Sequence, residues 1–232
     1  MDEKLHNIRH TLAHLLAASV LEFYPKAKLT LGPAIDNGFY YDIDFGKIDL
    51  KDLDLKEIEK SMKKKLSNPD WKTFSHFEVS EKEALKEFKS NEYKEELIKE
   101  IVARGEKITI YQIGTFKDLC RGGHVENTGE IDPKGFMLDR VAGAYWRGDE
   151  KNPMLTRIYG LAFATQKDLD EYLTKVEEAK KRDHKKLGVD LDLFFIDEKV
   201  GKGLPLWTPK GTAVKFELED RKSTRLNSSH RL

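Results

Sequence analysis

The sequence predicts an α+β fold, with helices packed on a β-sheet. Three observations carry this. Residues 3–24 place Leu5, Ile8, Leu12, Leu15, Leu16 and Phe23 near helical spacing, and Pro25 follows. Residues 107–164 change to short apolar runs separated by glycine-rich turns, the habit of strands. Residues 166–187 return to the helical period, with Leu169, Tyr172, Leu173 and Val176 on one side and many Lys and Glu on the other.

The remaining elements follow in order. LTLGPAI and FYYDIDF flank Asp36-Asn37-Gly38, a tight-turn signature, so residues 28–45 read as paired strands. Residues 50–66 alternate charge with Leu, Ile and Met as a helix does, and Asn68-Pro69-Asp70 ends them. Residues 71–79 read as a strand. Ser80 with Glu83 forms a capping box, and a further helix covers 91–103, stopping near Gly105. ITIYQIG, FKDLC, GFMLDRV, AYW and RIYGLAFA are the strands of the β region. Thr165 caps the long helix, and Gly188 ends it. LDLFFI is then a new strand, GKGLPLWTPKG a connector, and TAVKFELED the start of a helix. A domain boundary is expected near 185–190. There is no internal repeat.

Composition narrows the class. Charged residues make up 35% of the 232 and apolar ones 39%, enough for a core. No apolar run approaches the roughly 18 residues that a spanning helix needs. The start, MDEKLHNIRH, lacks the basic-then-apolar order of a secretory signal. The single cysteine, Cys120, rules out an intrachain disulfide framework and suits a reducing cytosol. Basic and acidic residues number 41 each, but four of the basic ones and no acid fall in 221–232. The body is therefore mildly acidic, without the global basic footprint of a non-specific nucleic-acid binder. The last twelve residues (RKSTRLNSSHRL) break the helical pattern before them and read as a non-native or disordered tail.

Two pairs of residues suggest chemistry. His10 and His14 lie four apart, on one face of the first helix. Cys120 and His124 are also four apart, in DLCRGGH, where Gly122-Gly123 permits a close backbone turn. Three imidazoles and a thiol suit a tetrahedral Zn²⁺ site. They equally suit acid–base catalysis near neutral pH. Either pair alone is more often surface or core histidine; together, with the only cysteine, they favour a site. His6, His76 and His184 have no paired partner and read as surface or structural.

The segments RHTLAHLLA, LTLGPAIDNGFYYDID, DLCRGGHV, AGAYWRGDEKNPMLTRIYG and EEAKKRDHKKLGVDLDLF resemble the successive signatures of bacterial-type threonyl-tRNA synthetases, in the family's order, over residues 4–220. The paired histidines and the Cys-x-x-x-His segment are shared with alanyl-tRNA synthetases, whereas IDNGFYYD and RDHKKLG point to the threonyl branch. The resemblance implies the editing-domain fold of threonyl and alanyl enzymes over 1–187, with a long linker helix. Residues 188–220 would begin the class II catalytic domain. It implies an editing pocket using His10, His14, Lys94, Cys120 and His124, with Tyr41, Asp118, Gly122 and Gly123 binding substrate. Lys94 would hold the ester, a phosphate or a water; by itself it reads as one solvated lysine among many.

The implied activity is hydrolysis of Ser-tRNA(Thr), while the full enzyme attaches threonine to tRNA(Thr) with ATP in the cytoplasm as a homodimer. The ATP site and the synthetic zinc site of the family would lie outside this sequence, so ligation is not expected from this chain alone. The chemistry has a reason: serine lacks one methyl of threonine, worth only about 1–3 kcal/mol of discrimination, so a second, hydrolytic site is needed. A non-catalytic tRNA-binding or zinc-stabilised module is the alternative. The two pairs are expected to converge within a few ångströms. The editing chemistry is expected not to need zinc strictly, because Lys94, Tyr41 and Asp118 are poor zinc partners. Residues 189–220 are expected to pack poorly.

Overall fold

The computed structural model describes residues 3–48, 52–201 and 203–229. The chain divides into two compact units, Met1–Asp170 and Glu171–Leu232. Helices and antiparallel sheets are mixed throughout, which makes the fold α+β.

The first unit is built around helix α1 (Glu3–Phe23). Every residue from Thr11 to Val20 is buried, so α1 is a central helix rather than an amphipathic surface one. Leu12, Leu15 and Leu16 are fully covered, each side chain contributing about 1.5–3 kcal/mol. Thr11, His14 and Ser19 are polar yet share this buried stretch. Buried polar groups need partners: Thr11 finds its own in the site described below, Ser19 meets Ser61, and His14 Nδ1 has none.

A five-stranded antiparallel sheet packs on α1. Its strands are β1 (Lys28–Leu29), β2 (Ala34–Ile35), β3 (Gly38–Asp44), β7 (Phe136–Tyr145) and β8 (Met154–Ala162). Asp36-Asn37 is the expected tight turn, pairing Ile35 with Gly38. Gly32-Pro33 splits the segment before it into two short strands, since proline has no N–H to give a ladder. The segments GFMLDRV and AYW are one continuous strand, β7, with a register shift between Leu138 and Arg140. Helix α2 (Asp52–Ser67) lays Leu55, Ile58, Met62 and Leu66 against the same core.

A three-stranded sheet, β4 (Ser75–Val79), β5 (Ile108–Ile113) and β6 (Phe116–Leu119), completes the unit with helices α3 (Glu81–Glu87) and α4 (Glu92–Ala103). β4 is shorter than expected because Pro69–Trp71 forms a single helical turn first. Both sides of the Ser80–Glu83 capping box are made. Ala84, Ile98 and Ile108 form a small second core between these helices and β5.

Helix α5 (Gln166–Lys181) is capped by the reciprocal Thr165–Asp168 bonds. It stops earlier than the apolar period suggests. Asp183 accepts from Lys185 N–H and starts a separate helix, α6 (His184–Asp190). Gly188 is therefore not a terminator: it lies inside α6 because a Cβ there would sit 2.4 Å from the Phe194 ring. The second unit continues with the hairpin β9 (Phe194–Ile196) and β10 (Pro205–Trp207), then α7 (Pro209–Ser229). Its apolar residues are largely open, with Phe195 at 50% and Phe216 at 65% exposure. α7 carries the backbone of 221–229 as helix, and 230–232 lie outside the described residues. No helix among the described residues is long and apolar enough to cross a membrane.

Candidate active site

Four elements meet beside α1. It presents His10 and His14 one turn apart. The end of β6 and the loop after it bring Asp118, Cys120 and His124. The middle of β3 supplies Tyr41, and the first turn of α4 supplies Lys94. One donor atom from each of His10, His14, Cys120 and His124 lies within 4.8 Å of the others. The cleft over them is about 610 Å³ and is lined by His10, His14, Tyr41, Lys94, Asp118 and Cys120, among others.

The loop 120–124 is shaped by its glycines. Gly122 and Gly123 have φ of 99° and 85°, conformations that side chains rarely adopt. The turn folds Cys120 Sγ back so that Gly122 N–H donates to it at 3.3 Å. It also aims the Gly123 carbonyl at His10 Nδ1, 3.2 Å away. A carbonyl can only accept, so this contact places the His10 proton on Nδ1 and leaves a lone pair on Nε2. That Nε2 faces Cys120 Sγ at 3.5 Å. Cys120 Sγ lies 3.2 Å from His124 Nε2. Thr11 receives the Val125 N–H and lies 3.5 Å from His124 Nδ1. His124 is held between rings, stacked on Phe74 at 4.1 Å and on His10 at 4.3 Å. Thr11 and Phe74 carry no signal of these roles in the sequence, beyond Thr11 following His10.

Beneath the histidines lies a fully buried charged group. Lys94 and Asp118 are each 2% exposed and form an ion pair through Asp118 Oδ1. Asp118 Oδ2 accepts the Tyr41 hydroxyl at 2.5 Å, and Leu119 N–H donates to Oδ1 at 2.8 Å. Lys94 Nζ also reaches the Tyr41 oxygen at 3.4 Å. Lys94 is thus no solvated surface lysine. Asp118 bonds Lys94 and Tyr41 rather than a histidine; the backbone of Gly123 sets the His10 tautomer instead.

Tyr41 is both core and pocket, 1% exposed with its phenol in the cluster, while Tyr40 stands on the opposite face of β3 and lines the same cleft. His6 lies 6.5 Å from His10 ring to ring, His76 stacks on Tyr111, and His184 is exposed on α6. Trp146, Arg147 and Arg157 also border the cleft.

Burial sets the charge states. It holds His10 and His14 below the ordinary imidazole value, and His124 down to about 2. It raises the Tyr41 phenol well above its usual value and the Cys120 thiol to about 11. The cluster is therefore three neutral imidazoles and a thiol. These histidines bind protons more weakly folded than unfolded. Their stabilisation is complete above the unfolded value near 6.5 and is lost as pH falls below it. With chelator present, stability to urea is expected to fall below about pH 6.5 by up to ~1.4 kcal/mol per pH unit for each histidine. His124→Gln should reduce that slope, and a flat profile between pH 7 and 5 would contradict the assignment.

The same donors fit a metal ion. A tetrahedral cation with bonds of ~2.0–2.3 Å sets its ligand atoms roughly 3.3–3.7 Å apart. Cys120 Sγ stands 3.5 and 3.2 Å from two of the imidazole nitrogens. His14 Nδ1 is buried without a protein partner. His10, His14, Cys120 and His124 could therefore hold a metal.

Residues 108–159 match the family described as threonyl and alanyl tRNA synthetase second additional domain. That stretch runs from β5 into β8 and contains Asp118, Cys120 and His124. The chain is 50% identical over 210 residues to a threonine–tRNA ligase of Flavobacterium psychrophilum, covering 90% of this chain and 32% of that protein. A threonine–tRNA ligase of Anoxybacillus flavithermus is 50% identical over 222 residues, covering 94% and 33%. One from Borreliella burgdorferi is 47% identical over 222 residues, covering 94% and 37%. The chain spans about a third of the length of the curated relatives it matches.

Proposed function

We propose, for a chain that belongs to the threonyl-tRNA synthetase family and carries its second additional domain, that the cleft hydrolyses the ester of serine mischarged onto tRNA(Thr). The observation that carries this reading is the convergence of His10, His14, Cys120 and His124 beside a cleft that the buried Lys94–Asp118 pair also lines. Attaching threonine to tRNA with ATP, in a cytoplasmic homodimer, is the proposal for the longer proteins it matches.

In the proposed reaction a water attacks the ester carbonyl and the ribose oxygen leaves. His10 Nε2 carries the ring's lone pair, which faces Cys120 Sγ, and would orient that water or take its proton. His14 Nδ1, with no protein partner, is a second point of attachment for the water or the substrate amine. Two groups that could otherwise donate to the oxyanion are already engaged: the Tyr41 hydroxyl with Asp118, and Gly122 N–H with Cys120. Lys94 then supplies a buried positive group beside the histidines. It works through its field and has little freedom to reach a phosphate outside.

A zinc ion on the four donors would supply a Lewis acid for the carbonyl. Lys94, however, already provides a fixed positive charge near the histidines, and Lys94, Tyr41 and Asp118 are poor zinc partners. The whole chain should therefore release serine from Ser-tRNA(Thr) while leaving Thr-tRNA(Thr) largely intact, and chelation should change the rate less than about twofold. Activity lost on chelation and restored by Zn²⁺ would make the four residues metal ligands. No hydrolysis with or without zinc would leave a non-catalytic, zinc-stabilised tRNA-binding module, the second reading that the donor set favours.

A further inference from the structure

The outer face of the five-stranded sheet carries a feature that the histidine chemistry does not use. Side chains alternate along β3, β8 and β7, so Phe39, Tyr41 and Ile158 enter the core while their neighbours face outward. In the register of the sheet, Tyr40, Tyr159 and Arg140 stand directly across from one another on three adjacent strands. Asp42, Arg157 and Ala142 form the next row.

These side chains are in contact, the two tyrosine rings tilted by 55° to each other. The Arg157 guanidinium lies 3.9 Å from the centre of the Tyr40 ring, and Arg140 lies 4.4 Å from that of Tyr159. The two tyrosine rings are 5.8 Å apart. Both oxygens of Asp42 hold Arg157, at 2.6 and 2.7 Å. Arg140 pairs with its chain neighbour Asp139, and 63% of its side chain is exposed. An ion pair that open contributes about 0–1 kcal/mol, so the pair with Asp139 does not account for the position of Arg140 over Tyr159. Ala142 and Ala144 follow Arg140 along the same face of β7 and keep the adjoining surface low.

The row is continuous with the cleft, because Tyr40, Asp42, Arg157 and Tyr145 line it together with Tyr41 and Lys94. Unpaired nucleic acid is bound on sheets in this way, its bases stacking on aromatic rings and guanidinium planes. We propose that the Tyr40–Tyr159–Arg140 row is a stacking track for the unpaired nucleotides just before the esterified end of an RNA substrate. Tyr40 lies nearest the cleft, and Arg140 takes the nucleotides furthest from the ester. This rests on the deacylase reading above for the identity of the RNA.

The test uses the whole chain and two seryl esters, Ser-tRNA(Thr) and seryl-adenosine, which has no preceding nucleotides. Arg140→Ala alters an exposed side chain, so the fold should be kept; Tyr159→Leu is the second variant. For Arg140→Ala, KM on Ser-tRNA should rise about tenfold with kcat unchanged, the size expected for losing one stacking contact. Hydrolysis of seryl-adenosine should not change. An unchanged KM on Ser-tRNA in both variants would overturn the track, as would equal losses on the two esters. Binding of a short fluorescein-labelled single-stranded RNA gives a readout independent of hydrolysis: Arg140→Ala should weaken it about tenfold, and equal affinity would overturn the proposal. If the unmodified chain hydrolyses neither ester, the deacylase reading fails, and this binding measurement alone decides the track.

Discussion

Lys94→Met is expected to cost about 3–5 kcal/mol of stability, because it strands the Asp118 carboxylate in the core without a cation. Both groups are 2% exposed, so water cannot replace the lost partner. Tyr41 and Leu119 would still donate to the carboxylate, but neither carries a charge. Asp118→Asn should cost a similar amount by stranding the ammonium. The double variant, Lys94→Met with Asp118→Asn, should recover much of the loss, since a neutral pair of similar volume removes both desolvated charges. Urea midpoints of the three proteins test this. A Lys94→Met loss below about 1 kcal/mol, or a double variant no more stable than the singles, would show that the pair is not held as a buried ion pair. Serine release should be lost in all three, because the double variant restores packing and not positive charge.

His10→Ala should behave in the opposite sense, with a large kinetic effect and a small thermodynamic one. Its ring proton is committed to Gly123, and its Nε2 lone pair faces the cluster. Removing a positioned acid–base group typically lowers the rate about 10²–10⁴-fold. Stability should change by only about 1 kcal/mol, the worth of one ordinary hydrogen bond. His6→Ala, one turn earlier, is the control and should leave the rate unchanged. Single-turnover release of serine measures both. A His10→Ala rate within about fivefold of the unmodified chain would remove His10 from water handling and pass that role to His14.

Much of this was legible in the chain itself. The tight turn at Asp36-Asn37, the Ser80–Glu83 box and the Thr165 cap are local chemistry, so residues a few positions apart specify them. The spacing of His10 with His14 and of Cys120 with His124 likewise marked both halves of the cluster. Where the reading missed, short-range contacts overrode the apolar period. The helix after Thr165 is broken by Asp183 capping α6, although the apolar period continues past it. Gly188 looked like a terminator and is instead a close contact for Phe194.

By itself, then, the sequence determined the α+β class, most element types and the identity of the clustered histidines and cysteine, because periodicity, capping and spacing are short-range properties. Lys94 shows the limit. In sequence it is one charged residue on a polar helix, and only resemblance to a family singled it out. The tertiary structure decided its role: β6 delivers Asp118 and β3 delivers Tyr41 to the same buried point. It also decided the His10 tautomer, through a carbonyl 113 positions away, and the row across three strands. Each of these depends on groups far apart in the chain being packed side by side, where a charge, ring or ring nitrogen takes the partner that the packing provides.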